Sequence, residues 1–254
     1  MSEPDAVSPD AVSPDPVSID AVSIDPQRLR EGLAEARAQQ VGERHAAAVR
    51  AGVSVRSVIE ALVSSNAPAG ALEAIADRLD EVVAALRAHP AGREFEGFSE
   101  AANAGRSVSF FDWSPLAGLA NPLAPPLKMD VVGDEVVATV QFGAPYEGPP
   151  GCVHGGYIAA VFDEVLGLTQ SLSGRVGMTG TLTVRYRLPT PLRVPLRLVG
   201  RLESIEGRKV FTSGTMEADG RVTAEAEGLF ISVSPERFEA LANHRRLGEP
   251  PPPG

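Results

Sequence analysis

Cysteine occurs once in the 254 residues, at Cys152, so an intramolecular disulfide framework and a four-cysteine zinc site are both excluded. Lysine is nearly as scarce. Among 23 basic residues only Lys128 and Lys209 are lysines, and neither precedes Ser or Thr, so no G-x-x-x-x-G-K-[ST] phosphate loop exists. His45, His89, His154 and His244 lie far apart, none belongs to H-E-x-x-H, and no carboxylate cluster stands ready to complete a ligand set. No metal is implied. A G-x-S-x-G nucleophile elbow is also missing. No apolar run approaches the ~18 residues of a membrane span, and the N-terminus lacks the basic and apolar regions of a signal peptide. The expectation is a cytoplasmic chain with no membrane span. A basic surplus is lacking as well: the net charge is -10, which argues against nucleic-acid binding.

Six of the ten excess negative charges sit in residues 1–26, where Glu3, Asp5, Asp10, Asp15, Asp20 and Asp25 occur without Lys or Arg. Residues 5–25 repeat Asp-Ala-Val-Ser-Pro-like units with a period of five. Proline, like charge and few apolar groups make 1–26 an expected disordered acidic tail. Residues 27–89 turn helical. Leu72, Ile75, Ala76, Leu79, Val82, Val83 and Leu86 fall on one stripe of a helix, with Pro68 expected in its first turn. Val55, Val58, Ile59, Leu62 and Val63 form a shorter stripe, and a helical hairpin of this size needs the rest of the protein or a second copy to pack against. Residues 90–125 read as a linker, extended at Asn121-Pro122-Leu123-Ala124-Pro125-Pro126.

Over residues 126–234 the period changes. A hairpin turns at Gly133-Asp134, a helix is expected over about 155–171, and strands over 179–188, 194–205, 209–217 and 221–233. One apolar helix among six strands fits an α+β fold in which an antiparallel sheet wraps a central helix. Residues 235–254 read as a C-terminal tail. Hydrophobic residues, 43% of the chain, suffice for the core of that one domain.

Chemistry concentrates in Gly151-Cys152-Val153-His154-Gly155-Gly156, the lead-in to the helix. Up to four backbone N–H groups at a helix start lack partners, and the dipole there is positive. Glycines let a ligand oxygen approach closely. Asp163 lies seven residues after Gly156, within roughly 20° of the same azimuth. Glu164, about 100° further round, cannot face the same carbonyl, so Asp163 is the candidate acid. Cys152, although near the helix start, is taken as a bystander.

This combination resembles the hotdog-fold thioesterases of the 4-hydroxybenzoyl-CoA thioesterase superfamily, most closely the branch with phenylacetate-pathway and THEM-type acyl-CoA thioesterases. It has the H-G-G turn, the acid nine residues after His154, Met178-Thr179-Gly180-Thr181-Leu182-Thr183-Val184-Arg185-Tyr186, and then Pro189-Thr190-Pro191-Leu192. The likeness covers about residues 120–233. It implies hydrolysis of an acyl-CoA thioester to free acid and CoA, with no metal or redox cofactor. The Gly155 N–H, helped by Gly156, would hold the oxyanion. Asp163 would be nucleophile or general base for water, with Thr179 orienting the attacking group. His154 would fix the turn beside the substrate. Sites in that family lie at a dimer interface, and a homodimer or dimer of dimers is expected. For the coenzyme phosphates, residues 185–209 hold seven cations, with Arg185 and Arg187 the candidates, against Glu203 and Glu206. The same patch would suit an acidic carrier protein. Two other classes remain open: a non-catalytic acyl-CoA-binding scaffold, and a hotdog hydratase or dehydratase.

Overall fold

Two helices, α1 (Glu43–Val63) and α2 (Ala69–Arg87), precede six strands and a central helix in the computed structural model. The strands are β1 (Lys128–Val132), β2 (Glu135–Val140), β3 (Gly177–Tyr186), β4 (Leu196–Glu206), β5 (Lys209–Ala218) and β6 (Arg221–Ser232). Helix α3 (Gly155–Ser171) lies between β2 and β3. The structure describes residues 43–89, 113–125, 127–175 and 177–234, together with Gln27 and Glu31. The expected tails at 1–26 and 235–254 fall outside these residues.

The strands form one antiparallel sheet in the order β1-β2-β4-β5-β6-β3. Three of its connections are two-residue hairpins, at 133–134, 207–208 and 219–220. In the last, Asp219 (φ 50°) and Gly220 (φ 74°) adopt the left-handed conformations that match the twist of paired strands. Between β2 and β3 the chain crosses through α3 to reach the far edge, so β1 and β3 are the two edge strands.

Helix α3 is apolar around most of its girth: Ile158, Val161, Phe162, Val165, Leu166 and Leu168 are all buried. They meet the inward residues of the sheet, including Val136, Leu198, Val210, Met216 and Phe230, to form the core. Full burial of each such side chain contributes ~1.5–3 kcal/mol. The helix approaches closely because the sheet is bare beneath it. A methyl group on Gly214 would meet Leu166 Cδ2 at 3.1 Å and one on Gly228 would meet Leu166 Cδ1 at 3.3 Å. One on Gly200 would be driven into the Thr169 hydroxyl and to 3.2 Å from Val165 Cγ1. Glycines on three neighbouring strands thus form the seat of the helix.

The N-terminal part differs from the sequence expectation in three ways. Pro68 is the N-cap of α2 rather than a residue of its first turn, its carbonyl accepting from Ala71 N–H (2.9 Å) and Leu72 N–H (3.1 Å). Helices α1 and α2 do not form a packed hairpin. Helix α1 docks on the body, whereas α2 has no buried residue. Residues 113–125 are consecutive turns rather than an extended connector, with Ala120 and Ala124 buried. Local side chains impose these turns. Ser114 Oγ accepts from the N–H groups of Leu116 and Ala117 (both 3.1 Å), and Asn121 Oδ1 accepts from Leu123 N–H (3.0 Å). Arg56 of α1 donates to the carbonyls of Leu119 and Asn121 (both 2.7 Å), and Gly52 lies against the Leu119 and Ala120 carbonyls.

The seating of α3 is tested by Gly200→Ala. Its methyl group meets a stiff, buried Thr169 whose hydroxyl donates to the Val165 carbonyl at 2.8 Å. We expect a loss of ~1–3 kcal/mol, read as a fall in the thermal midpoint, with partial recovery when Thr169→Ala is added.

Candidate functional site

His154 precedes α3 in extended conformation (φ -61°, ψ 131°) and caps it. Its Nδ1 accepts a hydrogen bond from Gly156 N–H at 3.0 Å, which requires that nitrogen to be unprotonated. Its carbonyl accepts from Tyr157 N–H (3.0 Å) and Ile158 N–H (3.4 Å). Of the four amides that a helix start leaves open, only that of Gly155 donates to no group among the described residues. The expected help from Gly156 is corrected accordingly: its N–H is already taken by the His154 ring.

The peptide joining Gly155 and Gly156 is gripped at both ends. Its N–H is held by His154, and its carbonyl accepts from the Tyr186 hydroxyl at 2.9 Å. The Tyr186 ring lies so near that a methyl group on Gly155 would sit 3.3 Å from its oxygen, so this glycine makes room for both the tyrosine and an approaching ligand. Sequence reading missed this tie. Its signal is the alternation of β3, where Leu182 and Val184 pack on the core and Tyr186 shares their face.

Two turns along α3, partly buried Asp163 accepts from Thr179 Oγ1 at 2.8 Å. By strict alternation Thr179 would share the outer face with Thr181 and Thr183. A register shift between Thr179 and Thr181, with Gly180 as the extra residue, reverses that parity and turns the hydroxyl toward the helix. The structure therefore brings Asp163 and Thr179 together. It does not bring Asp163 to Gly155. Eight residues of helix separate them by ~12 Å along the axis, well beyond the span of one carbonyl group, so each chain presents two separate half-sites.

Arg185 and Arg187 lie apart from both half-sites, on the sheet face opposite α3. Each pairs with a glutamate of β6: Arg185 with Glu227 (2.5 Å) and Arg187 with Glu225 (2.6 Å). Cys152 is partly buried in a backbone bridge with Pro191. Next to the helix start, Tyr146 and Tyr157 meet edge to face, their centroids 4.8 Å apart. Burial, reinforced by Tyr157 and Glu60, pushes the Tyr146 hydroxyl up to about 12, and that hydroxyl donates to the Leu123 carbonyl at 3.3 Å. Among the described residues no three His, Cys, Asp or Glu side chains cluster as a metal site requires.

Glu164, the neighbouring carboxylate, faces inward to the 113–125 turns, where buried Ser114 donates to its Oε1 at 2.8 Å. Burial raises its pKa above the usual carboxylate range, the Asp163 charge adds to the rise, and the Ser114 hydrogen bond opposes it. The one-step turn between the two acids thus divides them, Asp163 to β3 and Glu164 beneath a loop.

A family model described as "Thioesterase superfamily" matches residues 150–225, the stretch holding His154, Gly155, Asp163 and Thr179. The crystal structure of protein RHA08564, a thioesterase superfamily protein, is 35% identical. It aligns over 72% of this chain and 94% of that one with a TM-score of 0.62. This chain belongs to the thioesterase superfamily. Its hotdog architecture follows, with the six-stranded antiparallel sheet around α3. Mouse acyl-coenzyme A thioesterase THEM4 is 39% identical over 108 residues, 42% of this chain and 46% of that protein. The Xenopus laevis THEM4 is 43% identical over 103 residues, 39% and 46% of the respective chains. This thioesterase-superfamily chain thus spans somewhat under half the length of the curated relatives it matches. The RHA08564 alignment is too extensive to fit within residues 90–254, so that likeness reaches into the N-terminal region.

A raised pKa in the folded state means that Glu164 holds its proton more tightly there than in the unfolded chain. Its contribution to stability is present at low pH and is lost as pH rises through the folded value. Glu164→Gln, which keeps an acceptor for Ser114, is expected to melt above the parent at pH 8. The gap should narrow toward zero near pH 4 in thermal scans across that range.

Proposed function

We propose that this chain hydrolyses an acyl-CoA thioester to the free carboxylic acid and CoA. The observation that carries the reading is one uncommitted amide, Gly155 N–H, at the positive end of α3, together with a carboxylate, Asp163, whose Oδ1 is held by Thr179 at 2.8 Å. The printed names of the THEM4 relatives support the same class of substrate. In this mechanism the thioester carbonyl oxygen lies against Gly155 N–H. The Asp163 oxygen not held by Thr179 takes a proton from water as the water oxygen adds to the carbonyl carbon. The resulting oxyanion is stabilised by the amide and the helix dipole. Collapse breaks the C–S bond, and the proton passes from Asp163 to the departing thiolate. His154 and Tyr186 act by fixing the 155–156 peptide.

Because ~12 Å of helix divides Gly155 from Asp163, a working site takes the amide from one copy and the acid from another. A homodimer or dimer of dimers is therefore part of the proposal, and the edge position of β3 is consistent with it. Arg185 and Arg187 stay as candidates for the coenzyme phosphates, since exposed ion pairs are weak enough for a phosphate to displace the glutamate. A cytoplasmic location goes with this reading, as the lone free Cys152 needs no oxidising compartment. No described helix is long and apolar enough to cross a membrane.

The test is thiol release from a panel of aliphatic and aryl acyl-CoAs, with binding and enoyl absorbance followed in parallel. Release supports hydrolysis, binding without release assigns the chain to the scaffold class, and an enoyl change to the hydratase class. Gly155→Pro removes the donor at a position where helices tolerate proline, its ring also pressing on the Tyr186 hydroxyl, and should lower turnover ~10²–10³-fold. Asp163→Asn should lower it ~10²–10⁴-fold, and mixing the two dead variants should restore turnover through hybrid assemblies. Loss of turnover in Glu164→Ala but not in Asp163→Ala overturns the choice of acid.

A further inference from the structure

Helix α2 has a consistent face and, among the described residues, no neighbour that buries it. Leu72, Ile75, Leu79, Val82 and Leu86 are spaced 3, 4, 3 and 4 residues apart, the a/d repeat of a helix that seats its side chains between those of another helix. All five are exposed, from 37% to 68%, and the helix packs on neither α1 nor the sheet. A lone helix of 19 residues is marginal in water, because most helix stability in proteins comes from packing one face. The four acids of α2, Glu73, Asp77, Asp80 and Glu81, occupy the outward positions of the repeat and Arg78 is the one charge beside the seam, so two such faces can meet without acid opposing acid. Ala71, Ala76 and Ala85 flank the seam and permit close approach.

We infer that this seam docks on the α2 helix of a second copy of the same chain. An identical helix supplies a seam of the same length and spacing. Of the eighteen large apolar side chains exposed among the described residues, eleven lie on the two N-terminal helices and six of those on α2 alone. A standard interface takes ~800 Å² from each partner, and the apolar seam, running along a 19-residue helix ~28 Å long, is long enough to form the centre of such an interface. The inference uses no feature of the Gly155 or Asp163 half-sites and stands whether or not the chain hydrolyses thioesters.

The test places single cysteines in full-length Cys152→Ser protein and treats them with a short bismaleimide. Leu79→Cys lies on the seam near the middle of α2, so either mutual direction of the helices brings the two copies within reach. Asp77→Cys faces outward and serves as the control. Covalent dimer at position 79 in at least tenfold excess over position 77, abolished by adding Ile75→Asp, is the expected result. Circular dichroism and thiol titration check that each variant is folded and reactive. Equal dimer at both positions, none at position 79, or dimer at 79 that survives Ile75→Asp overturns the inference. Each of these results would mean that the seam is bare or is covered from within its own chain.

Discussion

Enclosure of α3 is the constraint from which the remaining geometry follows. A helix with so many apolar side chains has to be covered on several sides, and one sheet accomplishes this by bending over it on a seat of glycines. Because the first strands are laid down before the helix and the last after it, the crossing delivers β3 to an edge. There it runs beside the part of α3 that the core leaves uncovered. The first residue of the helix and Asp163 are both met by side chains of that strand, Tyr186 donating to the Gly155 carbonyl at one end and Thr179 to the carboxylate at the other.

Adjacent acids on this helix show how strongly position outweighs residue type. Asp163 and Glu164 differ by one methylene and one helical step. The first faces a hydroxyl at the sheet margin, and the second turns toward the loop whose serine supplies its hydrogen bond. Burial of the inner acid disfavours its charge and raises its pKa.

Much of the fold was legible because the signals are local. Gly133-Asp134 and Asp219-Gly220 mark hairpins by the chirality of their backbone, and the Ile158–Leu168 stretch announces a buried helix by composition alone. The H-G-G turn likewise marks where α3 begins, and Asp163 lies on that helix. What could not be read depends on side-chain geometry or on partners distant in sequence. The use of Gly156 N–H by the His154 ring, the parity reversal at Gly180 and the pairing of Ser114 with Glu164 each require coordinates. The shared azimuth of Gly156 and Asp163 was real, yet azimuth says nothing of height along the axis. Proline in the 121–126 string suggested extension, but Ser114 and Asn121 bend the chain into turns that proline tolerates.

The Ser114 turns have a bearing on where this protein can be divided. They roof over Glu164 from one side and are themselves fastened from the other by Arg56 and by the close approach of Gly52. A fragment beginning at the first strand would keep every sheet hydrogen bond and still open the region around that carboxylate to water. Helix α1 is thus tied to the body as a brace, a tie that α2, with no buried residue, does not share.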